Sequence, residues 1–275
     1  MNKQILKRKI SIPSSDIFSP YKTFDCGQCF RFNEKDGYTV GVTRGEAVKI
    51  KLCDTTGEIE YFASGDADIF FDPHTSYFDM HTEFISPFTG KSREALECAV
   101  AEGFGIRILR QEFFETLISF IISQNNNIPR IKKNVESICQ RFGKPFEADG
   151  DVYYAFPTAE ALLEAGETGL GECKLGFRVK YILDAAERVA DGRISEEELL
   201  SLDTASASER LQTIHGVGPK VAACVLLYGM GRLETVPVDV WMKKVFAKYF
   251  DATPNLGSWG GVAQQYLFYR ERYLI

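Results

Sequence analysis

The sequence predicts an α+β chain in which a β-sheet subdomain precedes an all-α domain. Two observations predict it. Early in the chain, apolar and polar residues alternate with period two, as in Ala47-Val48-Lys49-Ile50-Lys51-Leu52, the pattern of a half-buried strand. From about residue 92 the period becomes that of helices, clearest in Phe113, Phe114, Leu117, Ile118, Ile121 and Ile122. The chain has 275 residues, 45% hydrophobic and 25% charged, which suffices for a sizeable core and two domains. We place the sheet subdomain at 1–100 and the helical domain at 101–275.

The strands expected are Phe30-Arg31-Phe32, Tyr38 to Thr43, Ala47 to Leu52 and Ile59 to Phe62, an antiparallel set. Asp36-Gly37 and Asp54-Thr55-Thr56-Gly57 are turn signals between them. Asp72-Pro73-His74 breaks the pattern before an aromatic-rich connection. Asn127 offers an N-cap and Pro129 a first-turn proline to a helix striped by Ile131, Val135, Ile138, Cys139 and Phe142. Further helices are expected at 158–165, 178–191, 206–215, 219–229, 240–249 and 259–271. Ser206 and Glu209 have the spacing of a capping box.

The formal net charge of −6 weighs mildly against a nucleic-acid binder, although affinity depends on the local face rather than the total. Seven scattered cysteines (26, 29, 53, 98, 139, 173, 224) fit free thiols in a reducing compartment. The first ten residues lack the apolar stretch of a signal peptide, and no run reaches the roughly 18 apolar residues of a membrane span. We expect a cytoplasmic monomer.

The densest motif is Leu211 to Asp239. It reads as a helix, a tight hairpin at Ile214-His215-Gly216-Val217-Gly218, a second helix opened by Pro219, and a loop ending in Val236-Pro237-Val238-Asp239. The two glycines permit positive φ and close backbone approach. A Gly-rich turn that opens a helix points N–H groups outward, where phosphate binds. Lys220, in the first turn, faces the positive end of the macrodipole, which favours a neutral, nucleophilic amine when the site is partly desolvated. Asp239 is placed to cap the next helix. The ordinary reading is an αα-hairpin with a surface lysine; Gly-Val-Gly-Pro-Lys followed by Val-Pro-Val-Asp is more specific than that.

This stretch resembles the helix-hairpin-helix-Gly/Pro-Asp element of the base-excision DNA glycosylases. Cys26-Gly27-Gln28-Cys29 also admits a zinc or redox reading. No second ligand pair has zinc spacing, and strands rather than a helix are expected after it. Gly27-Gln28-Cys29-Phe30-Arg31 instead resembles the loop of the 8-oxoguanine DNA glycosylases whose glycine carbonyl accepts the N7–H of the oxidised base. Normal guanine has a lone pair at N7, so one buried carbonyl separates the two.

The resemblance runs from about Gly27 to Phe268. It implies a twisted antiparallel β-sheet packed on an all-α domain that carries the hairpin over 206–230. It implies Lys220 as nucleophile and Asp239 as its electrostatic partner. It implies a base pocket of Gly27, Cys224, Gln264 and Phe268, the second four residues after Lys220 and the last two spaced i, i+4. DNA contacts would come from Asn125, Arg130 and Arg178 on the orphaned cytosine, Phe177 as the wedge, the hairpin residues His215, Gly216 and Gly218, and Trp241. Some family members have Tyr at the wedge and His at the Trp241 position. The implied partner is duplex DNA with 8-oxoguanine opposite cytosine; no redox cofactor or catalytic metal is implied, and the family tolerates a structural monovalent cation on the hairpin carbonyls. No cysteine follows Cys224, so the four-cysteine iron–sulfur loop of related branches cannot be built. The alternatives are a glycosylase for another damaged purine, and a non-catalytic hairpin that anchors a partner on DNA. The alkyl-purine branch has the Asp without the Lys, and an anchor needs neither Lys220 nor a pocket.

Overall fold

The computed structural model describes residues 6–11, 18–53, 58–63 and 77–275. It begins with β1 (Leu6–Ser11), α1 (Pro20–Asp25), β2 (Asn33–Lys35), β3 (Tyr38–Thr43), β4 (Glu46–Cys53) and β5 (Glu58–Ala63), followed by α2 (Tyr77–Ile85) and α3 (Gly90–Gly103). The strands form one antiparallel sheet in the order β1-β5-β4-β3-β2. The period-two reading of β4 holds. Val48 and Ile50 are buried while Lys51 is exposed, and they pack with Phe18, Phe24, Phe32, Ala63 and Leu109 in a core of their own. The expected turn at 54–57 and the break at 72–74 lie outside the described residues.

Phe30-Arg31-Phe32 is not a strand. All three side chains are buried, so no face alternates. Phe30 joins the helical core and Phe32 the sheet core. The segment is a seam between two cores, and its packing overrides strand propensity.

The helical body continues with α4 (Phe113–Ile122), α5 (Ile128–Phe142), a hairpin of β6 (Pro145–Ala148) and β7 (Asp151–Tyr154), then α6 (Ala159–Glu172), α7 (Arg178–Ala190), α8 (Glu196–Ser201) and α9 (Thr204–Gln212). It ends with α10 (Pro219–Cys224), α11 (Val240–Tyr249) and α12 (Gly260–Tyr273). Leu117, Ile118, Ile121 and Ile122 of α4 are fully buried, as their spacing requires. Asn127 caps α5, its Oδ1 accepting from the Arg130 N–H at 3.0 Å. The capping box at Ser206 does not form. α9 starts earlier, and Asp203 caps it by accepting from the Ser206 N–H at 2.9 Å. The helix expected over 219–229 is α10 continued by a π-helical turn over Val225–Gly229. The described cysteines 26, 29, 98, 139, 173 and 224 are all free thiols. Among the described residues no helix is long and apolar enough to cross a membrane.

Arg31 ties the seam to the helical body. Its guanidinium donates to the Tyr154 carbonyl and lies 3.6 Å from a Glu115 carboxylate oxygen. Burial lifts the Glu115 carboxyl from 4.5 to about 7, against the pull of Arg31. A carboxyl whose folded-state pKa is raised binds its proton more tightly folded than unfolded. Its contribution to stability therefore declines as pH rises from 4.5 through about 7 and is flat beyond. We expect a thermal midpoint lower at pH 8 than at pH 5.5 by on the order of 5 °C. Glu115→Gln should flatten this difference; a variant with the wild-type pH dependence would assign it to another group.

Candidate active site

The hairpin between α9 and α10 is anchored by Ile214 and Val217, both buried, with the Val217 N–H donating to the Ile214 carbonyl at 3.0 Å. His215 is exposed; its backbone N–H donates to Asp184 at 2.8 Å, and its ring stands edge-on to Tyr181 at 4.8 Å. Gly216 has φ +83°, and a Cβ there would overlap the Tyr181 ring. Gly216→Ala should therefore cost roughly 2–3 kcal/mol from left-handed strain plus overpacking, a drop of several degrees in midpoint. An unchanged midpoint in thermal denaturation would mean that Tyr181 gives way freely. Gly218, extended at φ −100°, is the N-cap of α10 and supplies no side chain to its first turn.

Lys220 reaches from α10 to the end of α4. Its Nζ donates to Ser123 Oγ at 3.1 Å and lies 4.9 Å from the Phe120 ring centre. The Ser123 hydroxyl proton is committed to the Phe120 carbonyl at 2.7 Å, so its lone pairs face the lysine. Asp239 is the N-cap of α11. One carboxylate oxygen accepts from both the Trp241 and Met242 N–H groups at 2.9 Å, which leaves the other for the space beside Lys220.

That space is a small pocket of about 50 Å³. It brings together Lys220, Asp239, Gly27, Cys224, Gln264 and Phe268. Gly27 stands at φ +84°, and a Cβ there would project within 3.6 Å of the Phe268 ring and 3.3 Å of Ile128. Gln264 is 4% exposed, and its carbonyl oxygen has no hydrogen-bond partner, an acceptor left open in the pocket wall. Burial raises the Cys224 thiol to about 11 and the Cys26 thiol to about 12, so both remain neutral and do not compete with the lysine.

Gln28 does not face this pocket. It is fully buried; its amide donates to the Thr23 and Arg107 carbonyls at 2.9 and 2.8 Å and accepts from the Leu109 N–H at 2.8 Å. It staples the Gly27 loop to the chain beneath.

A second group forms where the α4–α5 and α6–α7 connections meet. Asn125, at φ +47°, and Arg130 are exposed, and so is Phe177, at 51%. The Arg178 guanidinium, which the resemblance assigns to the orphaned cytosine, is engaged by the protein itself. Arg178 is 4% exposed, and its guanidinium donates to the carbonyls of Gln124, Asn125 and Leu175. Arg178 binds the two connections together and supports the residues that do reach solvent. Trp241 is half-buried, with Lys244 and Arg272 over its ring at 4.8 and 5.6 Å.

The sequence reading passed over Ser123, Phe120, Tyr228 and Gln265. Tyr228 continues the spacing of Lys220 and Cys224 by one more turn, and that signal was available. Phe120 and Gln265 carry no local signal, because only packing brings them to the pocket.

Residues 9–117 match the family model of the 8-oxoguanine DNA glycosylase N-terminal domain, and residues 118–256 that of the HhH-GPD superfamily of base excision DNA repair proteins. The chain belongs to the 8-oxoguanine DNA glycosylase family. Across 164 residues it is 40% identical to the N-glycosylase/DNA lyase of Saccharomyces cerevisiae, a match over 55% of this chain but only 43% of the yeast protein's length. The structure of MBOgg1 in complex with a low affinity DNA ligand superposes with a TM-score of 0.87 at 37% identity, covering 97% of this chain and 95% of that one. The 8-oxoguanine glycosylase/lyase of Clostridium acetobutylicum, in complex with double-stranded DNA containing cytosine opposite 8-oxoguanine, gives 0.83 at 36% identity, over 93% and 92% of the two chains. The 8-oxoguanine DNA glycosylase fold therefore spans nearly the whole chain, both subdomains included.

Proposed function

We propose that this protein excises 8-oxoguanine from duplex DNA through a Schiff base on Lys220 and then cuts the strand by β-elimination. The observation that carries the reading is the single pocket in which Lys220 and Asp239 share walls with Gly27, Cys224, Gln264 and Phe268. The flipped base stacks between the Cys224 thiol and the Phe268 ring. Gln264 presents its unpartnered oxygen to the donors of the Watson–Crick edge. The Gly27 carbonyl accepts the N7–H.

The Lys220 amine attacks C1′ as the bond from C1′ to N9 breaks, and the electron pair leaves with the base, which takes a proton. The Asp239 carboxylate stabilises the positive charge that develops on the sugar. The C1′–O4′ bond then breaks to give an imine, since the nitrogen bound to C1′ still carries a proton to lose, as an attached oxygen would not, and O4′ takes up a proton. Loss of a C2′ proton then expels the 3′ phosphate. Phe177, exposed at the tip of its connection, fills the gap left in the base stack. Asn125 and Arg130 face the orphaned base, for which cytosine is the expected identity, with Arg178 holding their connection. His215, Gly216, Gly218 and Trp241 lie along the strand backbone. We place the protein as a monomer beside DNA in the reducing cytoplasm, in keeping with its described free thiols.

The test is borohydride trapping on a duplex with one 8-oxoguanine opposite cytosine. The expected result is a covalent adduct and a strand cut. Tight binding without adduct or base release would favour the anchoring hairpin. An adduct with an abasic site but none with 8-oxoguanine would keep the lysine chemistry and discard the pocket assignment.

A further inference from the structure

We infer that Tyr228 and Gln265 are positioning residues for base selection, holding the Gly27 carbonyl in place through the peptide that precedes it. The inference rests on the reading that Gly27 meets the base.

Gln264 and Gln265 are neighbours on α12 with opposite fates. Gln264 has an open acceptor. Gln265, 1% exposed, has both ends occupied: its Nε2 donates to the Cys26 carbonyl at 3.0 Å, and its Oε1 accepts from the Tyr228 hydroxyl at 2.6 Å. A phenol has one proton to give, so the amide oxygen turns to Tyr228 and the amide N–H turns to Cys26. The Cys26 carbonyl shares a rigid plane with the Gly27 N–H. On the far side, Gln111 donates to the Gln28 carbonyl at 2.7 Å. The Gly27 carbonyl thus belongs to a peptide flanked by two held peptides. Glycine at φ +84° has the widest freedom of any residue, and these two bonds remove it.

The same pair reaches the nucleophile. The Tyr228 ring stacks on Phe120 at 5.4 Å and 16°, and Phe120 lies under Lys220. Burial raises the Tyr228 hydroxyl well above its ordinary value, which keeps it a donor. Apolar side chains would fill this wall without burying two polar groups, so packing alone does not account for the pair.

The test compares two assays. In a Lys220→Gln background, affinity is measured for duplexes carrying 8-oxoguanine or guanine opposite cytosine. With Lys220 present, borohydride trapping is measured on an abasic duplex, which has no base to select. Tyr228→Phe keeps the ring and removes the hydroxyl, and Gln265→Met keeps the volume and removes both bonds. Each should lower the affinity ratio about tenfold, the worth of one lost hydrogen bond, while trapping changes less than about threefold. In Gln265→Glu the ratio should fall at high pH and recover at low pH, since only the protonated carboxyl donates to Cys26. An unchanged ratio in Tyr228→Phe and Gln265→Met overturns the inference. So does an equal loss in both assays, which would mark a general packing role. A wild-type ratio near one overturns the substrate reading, and this inference with it.

Discussion

Lys220→Gln is expected to abolish the trapped adduct and to lower single-turnover release of 8-oxoguanine by about 10⁴-fold. An amide nitrogen has no free lone pair to attack C1′, and it cannot form an imine. The structure makes this substitution a clean one. Glutamine retains an N–H donor able to reach toward Ser123 Oγ, which lysine meets at 3.1 Å. The α10 backbone does not depend on the side chain. Affinity for the lesion duplex should therefore stay within about tenfold of wild type, with the loss confined to chemistry. The neutral Cys224 and Cys26 thiols offer no substitute nucleophile. Borohydride trapping and single-turnover kinetics on the same duplex give both readings. An adduct that survives in Lys220→Gln would place the Schiff base on another amine and remove Lys220 from the centre of the mechanism.

The residues that define this site were legible to very different degrees. The hairpin was legible because its signal is local: two glycines, a proline and a lysine in one turn have few other uses. The pocket pairs on α10 and α12 were legible because helical spacing puts i and i+4 on one face. What escaped depends on contacts made far along the chain. Arg178 follows an exposed aromatic at a turn and reads as a residue facing outward, yet the Gln124 and Asn125 carbonyls capture it from more than fifty positions away. Phe30-Arg31-Phe32 reads as a strand by composition, but its place between two cores buries every side chain. The β6–β7 hairpin was there to be read in Asp149-Gly150, whose φ values of +51° and +80° suit a tight turn. Gln265 is hardest, because its bonds to Tyr228 and Cys26 are made across 37 and 239 positions.

Asp239→Asn is the second large effect, and it separates two duties that one carboxylate performs. As N-cap of α11, Asp239 accepts two backbone N–H bonds on a single oxygen. Asparagine caps about as well as aspartate, so the fold should lose well under 1 kcal/mol. The pocket, however, loses its only negative side chain among those that line it, and with it the charge that faces the sugar as C1′ becomes electron-poor. Base release should fall by about 10²–10³-fold, the range for removing one preorganised electrostatic group. Asp239→Ala loses the cap as well and should cost about 1 kcal/mol more in stability, with a similar rate defect. Thermal midpoints and single-turnover rates of the two variants resolve the duties. If Asp239→Asn turns over at the wild-type rate, the carboxylate acts only as a cap and the charge that stabilises the transition state must come from elsewhere. If Asn and Ala are equally unstable, the cap bonds contribute little, and α11 is held by the packing of Met242, Val245 and Phe246.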